Sequence, residues 1–211
     1  MNLKPPNYWD KEIKRLLKRI KTHNRKENLI VFYGSSTIRL WVHLSKDLSP
    51  HNVINLGFGG SSYAWCLRYF NILFDTITPQ RIIFYAGEND LGEGLTIQQV
   101  LDNFRMLVEK AKLTFPKAKI SVISIKPSPN RKRLSKKFIE LNSMYKKYIS
   151  SIEGGTYIDL YHPMLNQMGS IRSELYLSDG LHLSRLGYEI WSSELKKFLN
   201  LQEKKNEQNC K

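Results

Sequence analysis

Apolar positions along the chain follow two alternating patterns. Between residues 8 and 23, Ile13, Leu16, Leu17 and Ile20 repeat at the i, i+3, i+4, i+7 spacing that gathers side chains on one face of a helix. Leu29–Gly34 (LIVFYG) is a short unbroken apolar run closed by glycine, the pattern of a strand buried on both faces. Val53–Leu56, Arg81–Ala86 (RIIFYA), Lys119–Ile125 (KISVISI) and Thr156–Leu160 (TYIDL) are further runs of this kind. Helical spacing returns between them: over 62–74, over Thr96–Phe115, over Leu134–Ile149 and after Ser184. Thr96 with Gln99 predicts a capping box, Pro116 a stop, and Ser184 the cap of the last helix. Strands that alternate with helices predict one α/β domain, with a parallel five-stranded sheet and helices on both faces. Ligands of such sheets bind beyond the carboxyl ends of the strands, so candidate chemistry is sought there.

Composition changes this picture little. With 211 residues and 41% hydrophobic positions, the chain can bury a core without disulfides or a structural metal. Cys66 lies in an apolar helical stretch and Cys210 in a polar tail; neither belongs to a CxxC or Cys/His cluster. No apolar core marks a signal peptide at the N-terminus and no 18-residue apolar window marks a membrane span, so a cytoplasmic protein is expected. The charge is unusual: 33 Lys and Arg against 19 Asp and Glu give +14. The cations concentrate in the first 26 residues, in Arg131–Lys137 and near the C-terminus, segments that read as solvated helical surface. That distribution argues against a nucleic-acid partner despite the net charge.

Four polar segments follow strand ends or precede the last helix: Gly34-Ser35-Ser36-Thr37, Gly57-Phe58-Gly59-Gly60, Gly87-Glu88-Asn89-Asp90 and Asp179-Gly180-Leu181-His182. Singly each reads as a turn; the third reads as an Asx-type turn. The glycines match neither GxGxxG nor GxxxxGK[ST], so no nucleotide cradle is expected. Chance gives a chain of this composition well under one Asp-x-x-His pair, and it contains two, Asp159…His162 and Asp179…His182. Asp159 adjoins a predicted strand and is assigned a structural role; the second pair lies in a loop, where reactive groups concentrate. Together the segments supply a serine, an imidazole, a carboxylate and amide donors at one sheet edge, the set that acyl transfer requires.

These segments, in this order, resemble the conserved blocks of the SGNH (GDSL-type) hydrolases over about residues 29–195. The resemblance implies a flavodoxin-like three-layer fold spanning 29–200, flanked by a basic amphipathic helix within 1–28 and a polar tail over 201–211. It also implies a serine esterase or acylhydrolase acting on a small-molecule ester without metal or cofactor. By position, Ser36 is the expected nucleophile, His182 the base and Asp179 its orienter. The Ser36 and Gly60 N–H groups and the Asn89 side chain are the expected oxyanion hole. The family usually carries Asp before its nucleophile, where this chain has Ser35; a serine can still cap the helix that follows. No long apolar segment lies between Gly87 and Thr96 or between Tyr161 and Leu181, which points to short acyl groups. Two other readings stay open: a non-catalytic domain whose basic surface holds RNA or another anion, and a metal hydrolase built on Asp90, Asp179 and His182.

Overall fold

The structure, a computed structural model, describes residues 8–23 and 27–209, of which 202–209 are described by their backbone alone; Cys210 lies outside the described residues. Five strands form a single parallel sheet in the order β2-β1-β3-β4-β5. They are β1 (Ile30–Gly34), β2 (Val53–Gly57), β3 (Arg81–Tyr85), β4 (Lys119–Ile123) and β5 (Gly155–Ile158). The order is that of flavodoxin-like sheets and reverses direction between β1 and β3.

Unbroken apolar runs form these strands because both faces are covered. Within β1, Val31 and Tyr33 face one side and Ile30 and Phe32 the other, and all four are buried. The first side is covered by α1 (Asp10–Thr22), α4 (Tyr63–Phe74), α6 (Ile97–Thr114) and α7 (Ser135–Ser150). The second is covered by α2 (Ser36–Arg39), α3 (Leu44–Asp47) and α8 (Arg185–Asn209). α1 buries Ile13, Leu16 and Ile20, side chains that contribute roughly 1.5–3 kcal/mol each when fully covered. The predicted capping box is present: the Gln99 N–H donates to Thr96 Oγ1 at 3.2 Å, and the Thr96 N–H donates to Gln99 Oε1 at 2.9 Å. Ser184 Oγ accepts from the Gly187 N–H at 3.3 Å at the start of α8. Among the described residues no helix is long and apolar enough to cross a membrane.

Two local expectations change. α8 runs on to Asn209, through the segment expected as a tail. Its residues Leu201–Asn209 contain no glycine or proline to stop a helix and are rich in Gln, Glu and Lys, which sustain one. Asp159 lies just past β5, adjoining the strand as expected. Residues 87–90 are no simple Asx turn: Gly87, with φ +101°, caps a one-turn helix, α5 (Glu88–Gly92). The Asp90 carboxylate folds back on this cap, accepting from the Gly87 N–H and the Tyr63 N–H at 3.1 Å each.

Burial pushes the Asp90 carboxyl up to about 7, against the pull of those two N–H groups. The folded state therefore holds the proton that the unfolded chain releases near the ordinary carboxyl value. This stabilisation is complete below about pH 4 and lost as pH rises through about 7. In urea unfolding of wild type and Asp90→Asn, the wild-type advantage should shrink by a few kcal/mol between pH 4 and 8. An advantage that is flat or grows with pH would contradict it.

Candidate functional site

β1 ends at Gly34, which pairs with Gly57 of β2 on one side and Tyr85 of β3 on the other. The chain passes so close to β3 that a Cβ at Gly34 would lie 1.8 Å from the Tyr85 carbonyl oxygen, and φ there is +154°. Ser35 N–H then donates to that same oxygen at 2.9 Å. Ser35 is buried at the N-cap of α2, and its side chain makes no capping hydrogen bond. The next residue, Ser36, opens α2 and faces the cleft.

The second block seats this short helix. Asn55 is buried; its Nδ2 donates to the Ile38 and Trp41 carbonyls, and its Oδ1 accepts from the Gly57 N–H at 3.0 Å. Gly57 lets α2 lie on the end of β2, since a Cβ there would stand 2.4 Å from the Arg39 nitrogen. From the far end of the chain, Tyr188 OH donates to the Thr37 carbonyl at 2.8 Å, and Trp41 stacks on Tyr188 at 5.2 Å. Arg185 pairs with Asp47 through two hydrogen bonds of 2.6 and 2.8 Å, which with the indole of Trp41 hold the Asp47 carboxyl below its usual range.

These ties place the loop before α8 over Ser36. His182 Nε2 lies 3.0 Å from Ser36 Oγ, and His182 Nδ1 lies 2.6 Å from Asp179 Oδ2. Asp179 Oδ1 also accepts the Leu181 and His182 N–H groups at 2.8 and 2.9 Å. Burial raises the Asp179 carboxyl, but the His182 ring and the two N–H groups outweigh it and bring it down to about 2. The carboxylate is therefore ionised over any working pH. It meets the Nδ1 side of the imidazole, which leaves Nε2 facing Ser36 Oγ.

Asp159 and His162 repeat this local geometry. Asp159 Oδ1 accepts the Tyr161 and His162 N–H groups at 2.9 and 3.3 Å, and Oδ2 meets His162 Nδ1 at 2.5 Å. The difference lies beyond the pair. The His162 side chain is 76% exposed, against 25% for His182, and among the described residues its ring hydrogen-bonds through Nδ1 alone.

Ser36, Gly59, Gly60, Asn89, Leu181 and His182 line one cleft of about 460 Å³. Asn89 Nδ2 donates to the Ser61 carbonyl at 3.1 Å. Asp90 does not join this group; it is buried beneath, capping α5. Among the described residues no three His, Cys, Asp or Glu side chains gather as metal ligands, so Asp90, Asp179 and His182 form no centre. A roomier cavity of about 630 Å³, lined by Lys132, Arg133, Lys136 and Tyr161, contains none of the cleft residues.

Sequence reading missed the opposite wall. Trp9 at the cap of α1 and Glu12 within it, with Arg39 from α2, line the cleft. Trp9 Nε1 donates to the Gly59 carbonyl at 2.6 Å, and the Gly59 N–H donates to Glu12 Oε2 at 3.1 Å. Arg39 falls one helical turn after Ser36, a signal the spacing did offer; nothing local marks Trp9 or Glu12.

The GDSL-like Lipase/Acylhydrolase family matches residues 22–190 of the chain. A comparison with curated proteins finds no match. The fold is similar to that of a Streptococcus pneumonia protein provisionally designated a platelet activating factor. That structure has a TM-score of 0.78 and 22% identity, over 92% of this chain and 95% of the other. A GDSL-like lipase from Bacteroides thetaiotaomicron gives a TM-score of 0.76 and 22% identity, over 90% and 98%. A psychrotrophic esterase, EstA, from Pseudoalteromonas sp., inhibited by monoethylphosphonate, gives 0.65 and 23%, over 82% and 100%.

A hydroxyl that shares its proton with an imidazole should react with an electrophilic phosphorus centre. A fluorophosphonate should label the wild type and Ser35→Ala, and Ser36→Ala should remain folded and unlabelled. Labelling that survives in Ser36→Ala and disappears in Ser35→Ala would transfer the assignment to Ser35.

Proposed function

The chain belongs to the GDSL-like lipase/acylhydrolase family, and we propose that within it this protein is a serine esterase acting through an acyl-enzyme. One observation carries the proposal: Ser36, His182 and Asp179 form a continuous hydrogen-bonded relay of 3.0 and 2.6 Å at the switch point of the sheet.

In this reading Ser36 Oγ attacks the ester carbonyl while His182 Nε2 takes its proton. Negative charge gathers on the carbonyl oxygen of the tetrahedral intermediate. The Ser36 N–H, the Gly60 N–H and Asn89 Nδ2 are the donors assigned to it, and they act mainly in the transition state. The intermediate collapses as the imidazolium protonates the departing alkoxide. Water, deprotonated by the same imidazole, then attacks the acyl-enzyme and releases the acid. Asp179 stays ionised throughout, fixing the tautomer and stabilising the imidazolium. No step calls for a metal.

The cleft favours compact substrates. Its walls are mixed: Trp9 and Leu181 offer apolar contact, while Glu12, Arg39 and Asn89 are polar. A long acyl chain would find no continuous apolar wall there, so short-chain esters are the assigned class.

The two Asp-x-x-His pairs give the sharpest test. On p-nitrophenyl acetate, His182→Ala should lose at least ~10³-fold in kcat, and His162→Ala should stay within a few-fold. Asn89→Ala should lose about 10²–10³-fold in kcat with KM little changed, since it removes one oxyanion donor. Equal losses at His182 and His162 would refute the relay. Near wild-type kcat in folded Asn89→Ala would remove Asn89 from the oxyanion hole. A folded wild type with no esterase or fluorophosphonate reactivity would favour a binding domain on the same fold.

A further inference from the structure

Arg131 begins the basic run that reads as solvated surface, yet its side chain turns inward. Nη1 donates to the Glu88 carbonyl at 2.8 Å and Nη2 donates to Asn89 Oδ1 at 3.3 Å. The Asn89 amide is thus gripped from both ends, because its Nδ2 donates to the Ser61 carbonyl. A guanidinium has only donors and a backbone carbonyl only accepts, so the two contacts fix which end of the amide is oxygen and which nitrogen. Among the described residues only one N–H of Nδ2 has a partner, which leaves the other uncommitted on a residue that lines the cleft with Ser36 and Gly60.

The surroundings are shaped around this guanidinium. Gly92, three residues after Asn89 on α5, provides its space: a Cβ there would lie 1.3 Å from Arg131 Nη1 and 2.5 Å from its Cζ. The chain segment that carries Arg131 is tied to the same short helix. Lys126 Nζ, fully buried, contacts both Glu88 carboxylate oxygens at 3.0 and 2.9 Å, and Ser128 Oγ donates to Glu88 Oε1 at 3.2 Å.

We propose that Arg131 is a positioning residue for the reaction: it holds the Asn89 amide with an N–H presented to the cleft and strengthens that donor as the oxyanion forms. The strengthening has a direct cause. A cation on the amide oxygen polarises the group, and hydrogen bonds in such a chain reinforce one another. Without the clamp the amide can rotate and present its oxygen, which would repel the developing charge. The proposal rests on the assignment of Asn89 to the oxyanion hole.

The test is steady-state hydrolysis of p-nitrophenyl acetate by Arg131→Met, Arg131→Lys and Gly92→Ala, alone and combined with Asn89→Ala, beside thermal melts. A misplaced donor should cost part of its full worth, so Arg131→Met should lose about 10–100-fold in kcat with KM within about three-fold. Arg131→Lys should recover little, because one ammonium cannot bridge the Glu88 carbonyl and Asn89 Oδ1 together. Gly92→Ala, which displaces the guanidinium while keeping it, should reproduce the loss and carries the test if Arg131→Met fails to fold. In the Asn89→Ala background each change should cost less than about three-fold, because the group it positions is gone. A staple that served only the fold would lower the melting temperature without this dependence on Asn89. Wild-type kcat in folded Arg131→Met, beside a slow Asn89→Ala, would overturn the clamp and leave the esterase reading intact. The full Arg131→Met loss in the Asn89→Ala background would overturn it too. Asn89→Ala at wild-type rate would overturn the clamp together with the Asn89 assignment beneath it.

Discussion

The site depends on the register of three parallel strands. Gly34 pairs with Gly57 and with Tyr85, so β1, β2 and β3 end level with one another. Each chain leaves the sheet at that line, and the polar residues come within a few positions of it: Ser36 after β1, Gly59 and Gly60 after β2, Asn89 after β3. A slip of one residue in any pairing would turn buried side chains to the other face, where they have no matching partners. The apolar alternation that builds the two cores, Val31 and Tyr33 against Ile30 and Phe32, therefore also aligns the cleft. Packing and chemistry share one constraint.

The imidazole comes from the other end of the chain, 146 residues after the serine it meets. Its local geometry is inexpensive, since an Asp-x-x-His loop folds on itself through two N–H groups and one ring nitrogen, and the chain forms that unit twice. What distinguishes His182 from His162 is delivery. The Tyr188–Thr37 hydrogen bond ties the start of α8 to the helix that Ser36 opens, and the Trp41–Tyr188 stack and the Asp47–Arg185 pair tie it to the segment that follows, as far as α3. From the other side, the Asn130 N–H and side chain donate to the Gly180 and Asp179 carbonyls at 3.0 and 3.1 Å. The loop is thus held at both ends.

What was legible in the sequence follows from the range of each interaction. Buried strands announce themselves by unbroken apolar runs, and helix starts by Thr96–Gln99 and Ser184, because those signals are local. The ordered blocks located Ser36, Asn89 and His182 in one cleft. Three features were not legible. Gly87–Asp90 carries the residues of an Asx turn, and nothing in that pattern shows the Asp90 carboxylate capping α5 while also accepting the Tyr63 N–H. Trp9 and Glu12 reach the cleft across about fifty residues of sequence, which no periodicity encodes. Arg131 looks like its neighbours Lys132 and Arg133, and the space at Gly92 with the Glu88 carbonyl and Asn89 Oδ1 sets it apart from them.

The cations of this basic protein accordingly divide by what surrounds them. Lys126 is fully buried against Glu88, with Ser128 and Tyr85 hydroxyls completing the carboxylate. Such a pair adds little net stability, because desolvating two charges offsets most of their attraction. Its consequence is geometric. Glu88 immediately precedes Asn89, so an anchor on Glu88 restricts where the next side chain can stand. An apolar pair of equal volume would pack as well but would not fix the rotation of α5 about its own short axis, since apolar contacts are non-directional. Directional contacts suit a one-turn helix, which has too few internal hydrogen bonds to hold itself. Asp90, Glu88 and Arg131 together anchor α5 by directional contacts outside its own short ladder, and with it Asn89 at the cleft.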